Sequence, residues 1–264
     1  MATALERGTI DQLANELLEA ERTRKPIAPL TERYPDMDVR DAYAVQLAII
    51  AHKTTAGARV VGKKIGLTSL AMQRQLGVDQ PDYGHLLDTM TVVEGSDVPL
   101  DGLIQTRVEP EIAFVLKRDL TGPGVTREQV IAATAYVTPA IEVIDSRVRD
   151  WKIKLCDTVA DNGSSARVVL GTTATAVDVT DLRLVGCVLE KNGEVVATAA
   201  GAAALGDPAV SVAWLANTLA DFDIALKAGE IIMPGALTRS EPVKAGDLIR
   251  ATYDRLGSVS VRFV

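Results

Sequence analysis

The sequence has few of the residues on which disulfide-stabilised, zinc-binding or membrane-spanning proteins depend. Only two of its 264 residues are cysteine, and only two are histidine. Cys156 and Cys187 lie far apart and outside any CxxC spacing, so we expect reduced thiols and neither a disulfide framework nor a zinc knuckle. Apolar runs such as residues 112–116 fall far short of the roughly 20 residues that cross a bilayer. Residues 1–8 lack the apolar segment of a signal peptide, so the sequence predicts a cytoplasmic protein without membrane contact.

Positive charge is also in deficit. The chain has 28 Lys plus Arg against 35 Asp plus Glu, a formal net charge of −7. A phosphate backbone is bound chiefly through a basic face, and no Lys/Arg cluster stands out here, so nucleic acid is not expected as a partner. Neither GxGxxG nor GxxxxGK[ST] occurs, which argues against a nucleotide cofactor. With 47% hydrophobic and 24% charged residues, the composition is that of an ordinary globular protein and excludes disorder, collagen and coiled coil.

Two regions of the chain differ in their hydrophobic pattern. Between residues 9 and 60, apolar residues recur with a period of about 3.6 and predict helices. From residue 61 onward, short β-branched runs are punctuated by glycine and proline, which is typical of strands. We therefore expect an N-terminal helical region over residues 1–60 and a β-rich body over 61–264, and the chain length suits one continuous domain.

Local signals place several elements within the β-rich body. Thr126, with a glutamine three residues later, and Asp207, with a proline directly after it, each predict the start of a helix. Asn192-Gly193 supplies the positive φ angles of a tight hairpin turn. Apolar and polar residues alternate over 258–263 and predict a final strand with one buried face.

Glu109-Pro110-Glu111 is the most informative tripeptide, because residues two apart on a strand project from the same face, about 7 Å apart. Pro110 cannot donate a hydrogen bond to a sheet, so we expect it at a strand start, an edge or a bulge. A third acid, Glu142, stands within the apolar run 139–144.

Three carboxylates among apolar residues favour a bound cation. Buried carboxylates without partners are costly, and hard divalent ions such as Mg²⁺ take oxygen ligands. Two histidines in the whole chain make an imidazole-rich zinc site improbable. The alternative is that the acids are solvated or paired with Arg107 and Arg147.

Two neighbouring lysines lie upstream in a strand-like run. On a regular strand Lys63 and Lys64 face opposite ways, so one of them can point inward. An inward ammonium beside carboxylates and a metal would stabilise the charge of an enolate or carboxylate substrate. The competing interpretation is two surface lysines.

Two polar segments complete the candidate chemistry. Residues 80–85 form a proline- and glycine-bounded loop with Asp82, Tyr83 and His85, suited either to catalysis or to an ordinary turn. Residues 157–165 form a second polar loop that either binds a small anion or merely connects two elements.

Taken together, these segments resemble the 2-keto-4-pentenoate hydratase (2-hydroxypenta-2,4-dienoate hydratase) family of the fumarylacetoacetate hydrolase superfamily. The motifs occur in the family's order from about residue 40 to the C-terminus. They comprise residues 62–69, 77–84, Glu109-x-Glu111, 141–147, 150–154, 157–162 and 257–260.

The resemblance implies an α+β fold with a mixed, rolled or sandwich-like β-sheet, usually in homo-oligomers. It implies Mg²⁺ or Mn²⁺ held by carboxylates that match Glu109, Glu111 and Glu142. An active-site lysine falls on Lys64, and the acid of the family's Pro-Asp-[Tyr/Phe]-Gly loop falls on Asp82.

From the two polar loops we assign Tyr83, Asp161 and Ser165 to substrate binding. The sequence departs from the family pattern at three positions. Leu70 stands where relatives often have lysine, Pro110 separates the two glutamates, and Gly163 replaces a common alanine.

The activity implied is the addition of water to 2-hydroxypenta-2,4-dienoate, giving 4-hydroxy-2-oxopentanoate in meta-cleavage degradation of aromatic compounds. The expected partners are this 2-oxo/2-hydroxydienoate substrate, further copies of the chain and a neighbouring pathway enzyme. Three alternatives remain open. They are 4-oxalocrotonate decarboxylase, an acylpyruvate C–C hydrolase that would use His85 with a carboxylate, and an inactive subunit that stabilises a partner enzyme.

Overall fold

The structure is a computed structural model that describes residues 5–69, 73, 78, 80–178 and 180–264. Leu70, a departure from the family pattern, and Gly77 and Asp79 of the segment 77–84 therefore lie outside the described residues. The helices are α1 (Arg7–Thr23), α2 (Leu30–Arg33), α3 (Val39–Thr55), α4 (Arg127–Ala133), α5 (Leu155–Ala160) and α6 (Pro208–Leu219). The strands are β1 (Val60–Gly66), β2 (Asp82–Leu87), β3 (Thr91–Val93), β4 (Asp97–Val98), β5 (Arg107–Leu116), β6 (Thr134–Ile144), β7 (Ser165–Leu170), β8 (Gly186–Lys191), β9 (Glu194–Ala200), β10 (Ile231–Met233), β11 (Glu241–Pro242), β12 (Leu248–Tyr253) and β13 (Gly257–Phe263).

The strands form two mixed sheets, which confirms the predicted α+β class with a sandwich-like body. The larger sheet has the order β2-β1-β10-β5-β6-β7-β3, and β11 pairs with the free part of β5. The smaller sheet has the order β4-β13-β12-β8-β9. The two sheets meet where the Tyr253 hydroxyl of β12 donates to the carbonyl oxygen of Ala140 in β6, at 3.0 Å.

The N-terminal segment is helical as predicted, and its apolar stripes are buried. Leu13 and Leu17 of α1 and Val45 of α3 are at most 2% exposed and belong to the same hydrophobic cluster as Ile112 of β5. The helical region thus shares one hydrophobic core with the sheet that carries the acids. The division at residue 60 into a helical region and a β-rich body stays a prediction. No described helix has the length and apolar character needed to cross a bilayer.

The local signals of the β-rich body are confirmed. Thr126 and Asp207 cap α4 and α6 through side-chain oxygens that accept backbone N–H groups. Asn192 and Gly193 have φ of 56° and 84° and connect β8 to β9. In β13 the apolar residues are buried and the residues between them are wholly or partly exposed.

Two loop interpretations were wrong. Residues 82–87 form strand β2, because their backbone pairs antiparallel with β1 from Gly66 to Val60. Residues 155–160 form helix α5, in which the Asp157 side chain accepts the backbone N–H of Lys154 at 2.9 Å. Both segments bond to partners distant in sequence, β2 to β1 and Asp157 of α5 to Thr31, so composition alone did not reveal them.

Candidate active site

A gap in the larger sheet creates the site. Strand β10 lies between β1 and β5 but ends at Met233, where it pairs with Lys64. On its other side, β10 pairs with β5 only at Phe114 and Val115. The segment of β5 between Val108 and Phe114 therefore lacks a strand neighbour on this side until β11 begins.

Pro110 falls inside this unpaired segment. Of the three expected positions, a strand start, an edge or a bulge, the structure shows a local edge: Pro110 lies inside the ten-residue strand and pairs in register with Ile141 of β6, but no described strand pairs with it on the other side. The missing N–H is tolerated because that side of β5 faces the gap rather than a neighbouring strand.

The three acids converge, as the family resemblance implies, although spacing alone predicted only the shared face of Glu109 and Glu111. Glu109 and Glu142 are direct cross-strand partners in the β5–β6 register, so their side chains share one face of the sheet. Glu111 is two residues further along β5, on the same face. One carboxylate oxygen from each acid lies within 4.8 Å of the other two. We call Glu109, Glu111 and Glu142 the glutamate cluster.

Three carboxylate oxygens of the glutamate cluster are buried without a hydrogen-bond donor among the described residues. Glu111 and Glu142 are fully buried, and among the described residues Glu111 Oε1 and both oxygens of Glu142 have no hydrogen-bond partner. Burial raises the pKa of Glu111 well above its usual value, and the carboxylates of Glu142 and Glu109 raise it further. Burial also raises the pKa of Glu109 to about 7, although the nearby Lys64 ammonium lowers it. Orphaned carboxylate oxygens at this spacing are what a hard divalent cation requires, so the residues fit Mg²⁺ or Mn²⁺.

Lys64 brings the ammonium group to the glutamate cluster. Its Nζ donates to the carbonyl oxygen of Gly163 at 2.9 Å and lies 3.6 Å from both Glu142 Oε2 and Asp82 Oδ1. The side chain is almost fully buried, which alone would favour the neutral amine, but Glu142, Asp82 and the other two glutamates raise its pKa above the usual value. Lys64 is therefore a charged ammonium.

Asp82 completes the group on the neighbouring strand. Its Oδ2 accepts a hydrogen bond from the Thr158 hydroxyl of α5 at 2.8 Å. Its Oδ1 is buried and has no hydrogen-bond partner among the described residues. One carboxylate oxygen is thus held in place while the other faces the Lys64 ammonium at 3.6 Å.

Lys63 lies on the other face of β1, as the strand alternation predicted. Its Nζ bonds Glu230 Oε1 at 2.7 Å. Lys63 and Lys64 are only 4% and 2% exposed, so the interpretation of two surface lysines was wrong.

The residues assigned to substrate binding lie in three different surroundings. The ring of Tyr83 packs in the core against Tyr43, with ring centroids 5.1 Å apart. Asp161 accepts from Arg147 Nε at 2.6 Å. Ser165, at the start of β7, is 1% exposed, and its hydroxyl has no partner among the described residues. The structure does not test these three assignments, which stay predictions.

The alternative pairing of the acids with arginines is not seen. Arg147 is engaged with Asp161, and no ion pair within 4.0 Å joins Arg107 or Arg147 to the glutamate cluster in the described part of the chain. His85 does not support the hydrolase alternative either. Its Nδ1 bonds the Gln46 amide oxygen at 2.8 Å rather than a carboxylate, and burial, aided by Lys63, lowers its pKa to about 3.

Sequence reasoning missed one residue that positions the cluster. The backbone N–H of Gly235 donates to Glu111 Oε2 at 2.7 Å. Gly235 has φ +118°, and a Cβ there would lie 2.1 Å from Thr68 Oγ1, so glycine is required. The only sequence signal was a Pro-Gly pair directly after the apolar run of β10.

A cavity of about 180 Å³ opens onto these groups. Lys64, Asp82 and Glu109 lie in its wall, together with Arg107 and Trp151. A cavity of this kind, with a carboxylate cluster, an ammonium and a guanidinium, is suited to holding a hard cation and a small organic anion together.

Fold and site thus define a curled mixed-sheet protein with a candidate carboxylate metal site. The chain belongs to the fumarylacetoacetate hydrolase family, since residues 43–264 match the sequence profile of the Fumarylacetoacetate (FAA) hydrolase C-terminal family.

Several relatives are similar to the chain over nearly their full length. A 2-keto-4-pentenoate hydratase of Paraburkholderia xenovorans is 47% identical over 253 residues, which cover 96% of this chain and 94% of that protein. A 4-oxalocrotonate decarboxylase of Pseudomonas sp. (strain CF600) is 47% identical over 264 residues, covering 100% of both. The solved structure of 4-oxalocrotonate decarboxylase from Pseudomonas putida G7, complexed with magnesium and adipate, matches with a TM-score of 0.97 at 44% identity and covers 100% of both chains.

Proposed function

We propose that the chain is a metal-dependent hydratase, a hydro-lyase that adds water to 2-hydroxypenta-2,4-dienoate to give 4-hydroxy-2-oxopentanoate. The reaction belongs to meta-cleavage catabolism of aromatic compounds. The observation that carries the proposal is the convergence of three glutamates, with oxygens within 4.8 Å of one another, beside a buried ammonium. The similarity to 2-keto-4-pentenoate hydratases supports this choice of reaction.

Glu109, Glu111 and Glu142 would hold Mg²⁺ or Mn²⁺. The metal, when bound, supplies Lewis-acid stabilisation of negative charge on the substrate's carboxylate and C2 oxygens. The orphaned oxygens of the cluster support this assignment, as does the magnesium in the related decarboxylase structure.

Lys64 stabilises the oxyanion that develops as the dienol loses its C2 hydroxyl proton. Its ammonium is preorganised, because Gly163 accepts one of its N–H groups and the strand fixes its direction. A fixed charge in a buried site stabilises developing negative charge more strongly than the same charge in water.

Asp82 moves the proton at its free Oδ1. In the first step the C2 hydroxyl loses a proton and C5 gains one, which gives an α,β-unsaturated ketone. In the second step the oxygen of a water molecule bonds to C4, the water releases a proton, and C3 takes up a proton. Asp82 relays protons only if water or substrate comes within about 3 Å of Oδ1. Tyr83, Asp161 and Ser165 are proposed to assist substrate binding.

A hydration assay tests the proposal directly. Dienoates of different chain length are supplied with and without Mg²⁺, and loss of the dienol absorbance and formation of the hydroxyketone are followed. We expect Mg²⁺-dependent hydration that a Glu142→Gln variant loses. Equal hydration by the metal-free and metal-loaded protein would contradict the metal-dependent mechanism.

4-Oxalocrotonate decarboxylase is the second candidate. The match to such a decarboxylase over the whole of both chains, and the TM-score of 0.97 to another, favour it. Presenting both substrates to the metal-loaded protein and measuring CO₂ release against water addition distinguishes the two. Faster CO₂ release would assign the chain to the decarboxylases.

Assembly and location are part of the same proposal. We propose a homo-oligomer, contact with another enzyme of the pathway, and a place in the cytoplasm. Light scattering of the purified protein tests the first point, since a monomeric mass would contradict it. Co-purification from cells tests the second, and cell fractionation tests the third.

A further inference from the structure

A second cationic group in the cavity, besides Lys64, has no role in the chemistry proposed above. Arg107, the first residue of β5, is half-buried, and its side chain lines the same cavity as Lys64, Asp82 and Glu109. Its Nη1 lies 3.4 Å from Ser240 Oγ. Within the described residues, no carboxylate forms an ion pair with it at 4.0 Å or less. An arginine without a carboxylate partner in a partly buried wall is available to a ligand.

The guanidinium is held by an aromatic ring. Its central carbon lies 4.9 Å from the ring centroid of Trp151, within the range of a cation–π contact. Apart from the Nη1 contact with Ser240, the guanidinium has no hydrogen bond to the described residues, so its remaining N–H groups are available to a ligand. Those groups form the planar donor pair that matches the two oxygens of a carboxylate.

The backbone under Trp151 is strained, which is uncommon at a bulky residue. Asp150 and Trp151 have φ of 58° and 55°, in the left-handed region. Gln105 holds this conformation in two ways. Its carbonyl oxygen accepts the Trp151 indole N–H at 3.0 Å, and its side-chain oxygen accepts the Asp150 N–H at 3.1 Å. Strain retained at a cavity wall by several hydrogen bonds indicates a position selected for function.

We propose that Arg107, oriented by Trp151, receives a carboxylate group of the substrate. The inference rests on the proposed function in so far as the substrate is a carboxylic acid anion that occupies this cavity. The carboxylate has two sources. It is either the C1 group that every dienoate carries or the remote group of a dicarboxylate. Arg107 is then a binding residue, and Trp151 is a positioning residue.

Steady-state kinetics of the metal-loaded protein test the proposal with a mono- and a dicarboxylate 2-hydroxydienoate. We expect Arg107→Gln to raise KM about 10- to 100-fold, the usual effect of losing a hydrogen bond to a charged group, with a smaller change in kcat. Arg107→Lys should recover part of the loss. Weaker binding of both substrates assigns the C1 carboxylate, whereas weaker binding of the dicarboxylate alone assigns the remote one. An unchanged KM for both, in a folded variant, overturns the inference.

Further variants test whether Trp151 positions the guanidinium and whether the loss of any positive charge on the surface has the same effect. Trp151→Leu removes the ring and should raise KM in the same direction, whereas Trp151→Phe keeps a ring and should restore most of the affinity. Arg250→Gln is the matched control, because Arg250 is exposed on β12, lies in the wall of neither cavity and, like Arg107, donates to a serine hydroxyl, that of Ser258 at 3.3 Å. A loss with Arg250→Gln as large as that with Arg107→Gln would refute specific recognition by Arg107.

Binding without turnover keeps this test apart from the proposed function. Calorimetric titration of the Mg²⁺-loaded protein with pentanoate and with adipate measures carboxylate recognition directly. Arg107-dependent binding in a protein that converts no dienoate would support the inference and contradict the proposed function. If the protein hydrates dienoates but Arg107→Gln leaves the affinity for pentanoate and adipate unchanged, the proposed function is supported and the inference about Arg107 is contradicted.

Discussion

The two adjacent lysines of β1 allow the proposed chemistry to be separated from stability. Lys64 faces the glutamate cluster, while Lys63 faces away and bonds Glu230 at 2.7 Å, with side chains only 5% and 11% exposed. Lys64→Met removes the ammonium that would stabilise the substrate oxyanion. We expect kcat to fall about 100- to 1000-fold, which corresponds to about 2.7–4 kcal/mol of lost transition-state stabilisation.

Lys63→Met is the matched control on the same strand. It leaves the Glu230 carboxylate buried without its cation, and breaking a buried pair in this way lowers the free energy of unfolding by about 3–5 kcal/mol. Because Lys63 does not face the cavity, kcat of the folded fraction should change little. Replacing Glu230 by leucine in the same variant should recover stability, since no unpaired charge then remains.

Urea unfolding and initial rates, both measured with saturating Mg²⁺, separate the two effects. The reasoning predicts a large loss of kcat only for Lys64→Met and a rescue of stability only for the Lys63 double variant. A Lys64→Met protein with wild-type kcat would refute the role of the ammonium. A folded Lys63→Met protein that loses as much kcat as Lys64→Met would show that the direction of the side chain on β1 does not distinguish the catalytic lysine from the structural one.

Three further predictions concern pH, metal and backbone. Because burial lowers the pKa of His85 to about 3 from 6.5, the unfolded chain alone binds a proton between these values, so stability falls as pH falls. Wild type should lose about 2 kcal/mol more between pH 7 and pH 5 than His85→Gln in urea unfolding, and parallel losses would contradict the buried neutral ring. Glu142→Gln should weaken Mg²⁺ binding in calorimetry at least about tenfold, and an unchanged affinity would exclude it as a ligand. Gly235→Ala should destabilise the protein by about 1–3 kcal/mol more than Gly57→Ala, because a Cβ at 235 meets Thr68 Oγ1 at 2.1 Å whereas at 57 nothing lies within 4 Å. Equal melting temperatures of these two variants would count against that clash.

Local sequence was sufficient for elements with short-range causes. The Asn192-Gly193 turn, the Thr126 and Asp207 caps and the alternating strand over 258–263 each depend on neighbours within a few residues. Their backbone angles and hydrogen bonds follow from residue chemistry, and the structure has them as expected. The shared face of Glu109 and Glu111 follows from strand geometry alone.

Other features depend on residues that come together only in the folded chain. Asp82 was expected in a loop and lies on β2, because pairing with β1 overrides the local turn composition. Thr158 reaches Asp82 from a short helix that sequence composition did not indicate. Gly235 reaches Glu111 across 124 positions of sequence.

The sequence by itself determined the set of acidic and basic groups, the face on which two of the glutamates project, and the resemblance that relates them to a metal site. The family resemblance already pointed to Lys64, and the structure shows that it faces the glutamates. The tertiary structure alone decided that Glu142 stands opposite Glu109 and that, among the described residues, Arg107 has no carboxylate within 4.0 Å. The physical reason is that strand register and the early end of β10 are set by pairing and packing across the whole sheet. No short stretch of residues contains that information.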